Sequence, residues 1–350
     1  MRFIIPISLA ILLLALILPL IFVYRPMPSV PVTAEADEPA VGPQDQDAAA
    51  RHRGPETYDS PLQDADFILQ VLIEGEIHAM SMEELLQGVV AAEMPARFHP
   101  EALKAQAVAA RTYALHRMLV APSPRHPRAD VCDSYACCKA FHSPERLRER
   151  WGDRFAHYRA IIAAAVRATD GMILLYETQP ILAAFHAASY GFTETSGAIW
   201  GDVPYLQSVR SFEGAAEVPR FYETVEIHFS AFRDTVRAAH PDAALENSNP
   251  SDWITNVHHT DSGRLAGLDI GGVTLTGAEF RRLFGLRSTA VQFDFGAEKI
   301  AITTGGHGHG VGMSQFGANT MAHMGLDFQA ILHWYYTDVV PGRIDDLKTN

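Results

Sequence analysis

Apolar positions change period several times along the chain, and each change predicts an element. Residues 3–24, FIIPISLAILLLALILPLIFVY, run apolar without a charge. As a helix these 22 residues would span about 33 Å, enough to cross a bilayer core. Over 26–64 large apolar residues almost vanish, and patterning returns near residue 65. DFILQVLIEGEI, residues 66–77, alternates loosely and predicts a strand or hairpin. Ser81 and Glu84 then make a capping-box pair, and Leu86, Val89 and Val90 follow at helical spacing, which predicts a helix over 82–94. Pro95 disfavours helical geometry at Met94, so that helix should stop just after Glu93. A second helix should run from Pro100 to about Leu119; its stripe of Leu103, Ala107, Ala110 and Ala114 is small enough to let a neighbour approach closely. A further helix is predicted over 144–169, strands within 171–189 and near 205–210, 222–228, 267–275 and 290–303, and a closing helix in LDFQAILHWYY. This irregular order predicts an α+β fold of mixed sheets and helices.

Composition divides the chain further. No small-residue cleavage site follows Tyr24, so residues 1–25 read as a retained signal-anchor transmembrane helix. Arg2 and Arg25 flank the run evenly, and the free amino terminus tips the orientation towards the inside, leaving the rest extracytoplasmic. Residues 26–64 hold seven prolines, eight acidic residues and two arginines, the composition of a disordered tether. The tether supplies −6 of the formal charge of −13, and this balance argues against a nucleic-acid partner. The folded domain is expected over 65–345, with apolar content ample for a real core.

Candidate chemistry begins at Glu93, which falls on the apolar side of its helix, at an end a cleft could reach; its ordinary alternative is a carboxylate at a frayed terminus turned to solvent. Arg111 lies among small apolar residues in AVAARTYA, where a guanidinium needs a carboxylate or a ligand, and Glu93 is an available partner. All three cysteines, Cys132, Cys137 and Cys138, lie close behind His126; the spacing admits structural zinc, a disulfide with one thiol left over, or three inert thiols. Ser189 near His186 lacks a nucleophile-elbow glycine pattern and an acidic third member, so a serine hydrolase is not expected. GGHGHGVGMSQFG, residues 305–317, carries six glycines, which suit a loop pressed against a ligand. A metal hydrolase built on His307, His309 and His323 is a competing reading. Those histidines read better as hydrogen-bonding residues at a cleft rim, with Gln315 as a direct ligand contact there.

Three blocks, GVVAAEMPARFHPEALKAQAVAARTYAL, GVTLTGAEFRRLFGLRST and GHGHGVGMSQFGANTMAHMGLDFQAILHWYYTDV, together resemble the stage II sporulation protein D family, whose relatives include amidase enhancers. The resemblance covers roughly residues 65–345. It implies a peptidoglycan lytic transglycosylase acting during sporulation and engulfment on glycans already stripped of peptide, alongside a cell-wall amidase and other engulfment proteins. The glutamate of its EMP motif would be the catalyst, here Glu93. Partial burial against Val89, Val90 and Met94 would favour the protonated acid that such a step needs. Lys104, Gln106, Arg111, Thr193, Tyr205 and Gln315 would position substrate. The family's zinc positions match His126, Cys132, Cys137 and Cys138, with Cys137 replacing a histidine, and the metal would be a structural clamp. In AAFHAASYGFTET, alanines at 187 and 188 and Tyr190 in place of a glycine depart from the family pattern. A non-catalytic amidase enhancer that holds peptidoglycan is the alternative.

Overall fold

The computed structural model describes residues 63–246 and 249–348. The predicted signal-anchor and nearly all of the predicted tether lie outside the described residues. Among the described residues, no helix is long and apolar enough to cross a membrane.

An antiparallel hairpin opens the domain: β1 (Ile68–Ile73) and β2 (Glu76–Ser81) pair in register from Ile68 opposite Ser81. Ser81 then caps α1 (Met82–Glu93) through the full capping box with Glu84. Helix α2 (Pro100–Leu119) follows, with proline in its first turn. Most of its middle is buried, from Ala102 and Leu103 through Leu115. A helix apolar on nearly every side belongs inside the protein, and its alanines let neighbours approach from several directions. Strand β3 (Val131–Cys132) joins β1 in parallel and ties the cysteine segment to this layer.

The single helix predicted over 144–169 is two, α3 (Pro144–Trp151) and α4 (Phe155–Ala168). Gly152 stands between them with φ +53°, a conformation that ends the first helix. The apolar run after it supplies β4 (Met172–Tyr176), β5 (Gln179–Pro180) and β6 (Phe185–His186). Residues 205–210 are not a strand: Tyr205 and Leu206 are buried in a loop, and only Arg210 makes an isolated bridge, to Phe192.

Strand β7 (Tyr222–His228) begins a second lobe, with α5 (Phe229–Ala239), β8 (Ile254–His259), β9 (Leu265–Ile270), β10 (Val273–Thr276) and α6 (Gly277–Leu283). Strands β11 (Ala290–Phe295) and β12 (Lys299–Gly305) complete it, with sheet orders β10-β9-β8 and β11-β12-β7. The predicted strands at 267–275 and 290–303 are thus hairpins. Phe232, Val236, Trp253, Ile270, Phe280 and Ile302 form this lobe's own core.

The chain then returns to the first lobe. Strand β13 (Met313–Ser314) pairs in parallel with β6, followed by α7 (Gln315–His323), α8 (Phe328–Tyr335) and β14 (Val340–Arg343), which pairs with β4. Gly312 makes the return possible, because at its φ of +71° a Cβ would fall 2.1 Å from the Ala184 carbonyl oxygen. The expected α+β mixture of small sheets and helices is what the described residues form.

Candidate active site

Glu93 is the last residue of α1, and Met94 caps the helix in extended geometry as the following proline requires. Its carboxyl is half-buried and anchored from two directions. Ala140 donates its N–H to Oε1 at 3.3 Å, and Gln315 donates its side-chain amide to Oε2 at 3.1 Å. Gln315 begins α7, next to β13, so the glycine-rich return brings it across to α1. The Gln315 amide also donates to Gln106 Oε1 at 3.4 Å, and Gln106 is fully buried. Gln106 therefore positions Gln315 from behind.

The carboxyl opens into a cleft of about 1040 Å³ with walls from both lobes: Lys139, Phe185 and Gln315 on one side, Arg281, Arg282 and Thr289 on the other. Glu93 is the sole carboxylate among its lining residues. Tyr135 and Trp200 add exposed aromatic rings. The Lys139 ammonium lies 3.6 Å from the centre of the Phe185 ring and 4.5 Å from that of Tyr113. Burial pushes it down to about 8, against the attraction of Glu93. No spacing signal marks Lys139, which follows the cysteines on a loop, nor the Ala140 N–H.

Several predicted substrate contacts lie elsewhere. Arg111 does not reach the cleft: its Nε and Nη2 donate to the Asp64 carboxylate at 2.7 and 2.5 Å, its Nη1 donates to the Met172 carbonyl, and the pair is buried. Asp64, which composition assigns to the tether, is thus part of the folded domain. Lys104 donates to Glu101 at 2.7 Å and lies over the Phe328 ring, away from the cleft. Thr193 is fully buried, and its hydroxyl accepts from Val209 N–H at 2.8 Å, fixing the 205–210 loop. The Tyr205 hydroxyl accepts from Leu182 N–H at 2.9 Å, and its ring packs on Tyr176. All four hold the scaffold. Tyr190, standing where the family pattern has glycine, lies over Gly305 and against Phe221 and Tyr222, so the loop accepts the larger residue.

The competing chemistries do not assemble. Ser189 sits 2.7 Å from His186 Nε2, but both are buried and His186 Nδ1 faces the Val311 carbonyl rather than an acid. His307 accepts from Arg287 at 3.0 Å, His309 accepts from Val311 N–H at 3.1 Å, and the His323 ring meets that of His99. Burial drives His309 down to about 3. Among the described residues, the one group placed to hold a metal is His126, Cys132, Cys137 and Cys138, whose ligand atoms lie within 4.8 Å of one another. All three cysteines are free thiols. His126 Nδ1 lies 2.9 Å from the Ala129 carbonyl, which leaves Nε2 facing Cys138 Sγ at 3.3 Å. Burial pushes Cys138 up to about 12; in Cys137 burial works the same way, but hydrogen bonds from Ser123, Cys132 and His126 outweigh it and bring the thiol to about 7. Three packed thiols cannot ionise together without a cation, so this donor set fits a soft divalent metal.

Residues 74–176 match the family model described as stage II sporulation protein. Stage II sporulation protein D of Bacillus subtilis (strain 168) is 36% identical over 261 residues, 74% of this chain and 74% of that protein. That of Bacillus amyloliquefaciens is 37% identical over 265 residues, 75% of this chain and 74% of the relative. More distantly, the amidase enhancer of Bacillus subtilis (strain 168) is 27% identical over 310 residues, covering 72% of this chain but 39% of that protein. With identity of 36–37% sustained over about three-quarters of both chains, the chain belongs to the stage II sporulation protein D family.

Proposed function

We propose that the chain is a peptidoglycan lytic transglycosylase in which Glu93 acts first as acid and then as base. One observation carries the reading: a half-buried glutamate is the sole carboxylate lining a cleft of about 1040 Å³. Hydrolysis of glycosides ordinarily takes two carboxyl groups, one of them serving as nucleophile or activating water. A single carboxyl suffices when the sugar supplies the nucleophile. Glu93 gives its proton to the oxygen linking N-acetylmuramic acid to N-acetylglucosamine; the bond from muramic C1 to that oxygen breaks, and the glucosamine leaves with a free hydroxyl. The carboxylate then takes the proton of the muramic 6-hydroxyl, whose oxygen closes on C1 to give the 1,6-anhydro ring. Glu93 ends protonated and ready for another turn.

The surrounding groups suit both halves of this cycle. A sugar over the carboxyl excludes bulk water from the site. Once the proton has gone, the Ala140 N–H, the Gln315 amide and nearby Lys139 stabilise the carboxylate. A zinc ion held by His126, Cys132, Cys137 and Cys138 would clamp the loop that leads directly to Lys139 and Ala140. With four protein ligands it would serve as a structural clamp rather than as a catalyst. The apolar run 3–24 would anchor the enzyme in the membrane with its cleft outside, working in sporulation and engulfment on glycans that an amidase has stripped.

Mass analysis of stripped glycan strands incubated with the chain tests the chemistry. Products with 1,6-anhydro ends are expected. Products with reducing ends would mean that water, not the 6-hydroxyl, attacks. Intact strands retained by the protein would place it with the binding-only amidase enhancers.

A further inference from the structure

We infer that Glu194 is a positioning residue for the chemistry at Glu93: with Arg264 it clamps a turn of the second lobe onto the glycine-rich return that carries Gln315. The inference rests on the glycan reading above and adds what holds the two walls of the cleft in register. Glu194 is 2% exposed and lies alongside that return, donating its N–H to the Gly310 carbonyl at 2.8 Å and bridging Val311 in parallel. Its side chain reaches the other lobe. Oε2 accepts from the Thr260 hydroxyl at 2.5 Å and from the Ser262 hydroxyl at 2.7 Å, while Oε1 accepts from the Thr195 N–H at 2.9 Å. Thr260 and Ser262 belong to the turn between β8 and β9, where Thr260 donates its N–H to the Arg264 carbonyl and Gly263 donates to that of Thr260. A buried carboxylate that accepts three hydrogen bonds is fixed in place, and two of these donors lie 66 and 68 residues further along the chain.

Arg264 ends the same turn and presses on the same return. Its guanidinium lies against Gly310, where at φ +88° a Cβ would fall 2.6 Å from Cζ. It is 1% exposed, and among the described residues none of its side-chain nitrogens has a hydrogen-bond partner. Burial lowers it to about 10, against the attraction of Glu194 and Glu213, so these carboxylates balance its charge through space. A guanidinium so enclosed is costly to leave uncompensated. Glu213 in turn accepts from the Ser189 N–H at 2.6 Å and from the Ser314 hydroxyl, one residue before Gln315. The turn is also coupled to the cationic wall. Leu265 donates its N–H to the Thr289 carbonyl at 2.7 Å, and its own carbonyl oxygen packs so closely on Gly277, the first residue of α6, that a Cβ there would fall 1.8 Å away. Glu194 therefore joins the wall that holds Glu93, through Gly310 and Gln315, to the wall that presents Arg281 and Arg282 from α6.

Amide hydrogen exchange and glycan cleavage, both measured on the full chain below the melting temperature of each variant, test this. Glu194→Ala should speed exchange at 260–264 and at 308–315 together, and should lower kcat on stripped strands by roughly tenfold to a hundredfold, the scale of a misplaced reacting group. Glu194→Gln, which keeps an oxygen acceptor, should recover part of that rate. If Glu194→Ala does not fold, Ser262→Ala removes a single bond between the lobes and should move both readouts the same way by a smaller factor. Faster exchange on one side alone would overturn the clamp, and so would a lower melting temperature with kcat unchanged, the mark of a residue that only stabilises. Absence of cleavage by the wild-type chain would overturn the glycan reading itself, while the exchange comparison would still decide for or against the clamp.

Discussion

A guanidinium enclosed by alanines has given up most of its water, and at Arg111 the Asp64 carboxylate, with two backbone carbonyls, replaces it. Removing one member of such a pair leaves the other charged and buried. Asp64→Ala should therefore cost about 3–5 kcal/mol in urea unfolding, with glycan affinity of the folded protein retained. A change within the about 1 kcal/mol typical of exposed ion pairs would contradict the assignment. The need of Arg111 for a partner was legible in its alanine surroundings, but the partner was not: Asp64 lies 47 residues earlier, beside a proline-rich stretch whose composition hides it. Glu93 was legible because helix phase and Pro95 together place it, whereas Lys139 and Ala140 enter the site from an aperiodic loop. Thr193 and Tyr205 illustrate the converse, since hydroxyls chemically suited to sugar accept instead from backbone N–H groups of other segments, Val209 and Leu182.

At the scale of elements, capping chemistry was the most legible signal. Ser81 with Glu84 starts α1 as expected, and the equivalent pair Thr276 with Glu279 starts α6, whose seven residues are too short for periodicity to reveal. The break at Gly152 is decided by one left-handed residue inside an otherwise continuous helical pattern. Strand β6 and strand β13 have two residues each and exist only through pairing across 128 positions of chain, which local pattern cannot encode. The cysteine segment behaves as an element held by its side chains. Chelation, or His126→Ala, should lower the melting temperature by roughly 5 °C or more and speed hydrogen exchange at Lys139 and Ala140. Acidification should act in the same direction, because a metal held there would bind thiolates and protons compete for them. Unchanged melting and exchange after chelation would contradict the clamp.

Across the described residues, two cores meet at the Glu93 cleft, and each contributes one wall. The first wall presents the carboxyl and the groups that receive its charge; the second presents cations. This division was only half visible in the sequence: β8 is mostly exposed and carries little apolar pattern, whereas α5 places Phe229, Phe232 and Val236 at helical spacing, a signal that the expectations above do not include. The central claim is that Glu93 alone moves the proton in both steps. Rates of glycan cleavage by the wild-type chain and Glu93→Gln, with binding measured in parallel, test it most directly. A fall of about 10²–10⁴-fold in rate with glycan affinity preserved is the expected result, and cleavage by Glu93→Gln at close to the wild-type rate would contradict the account.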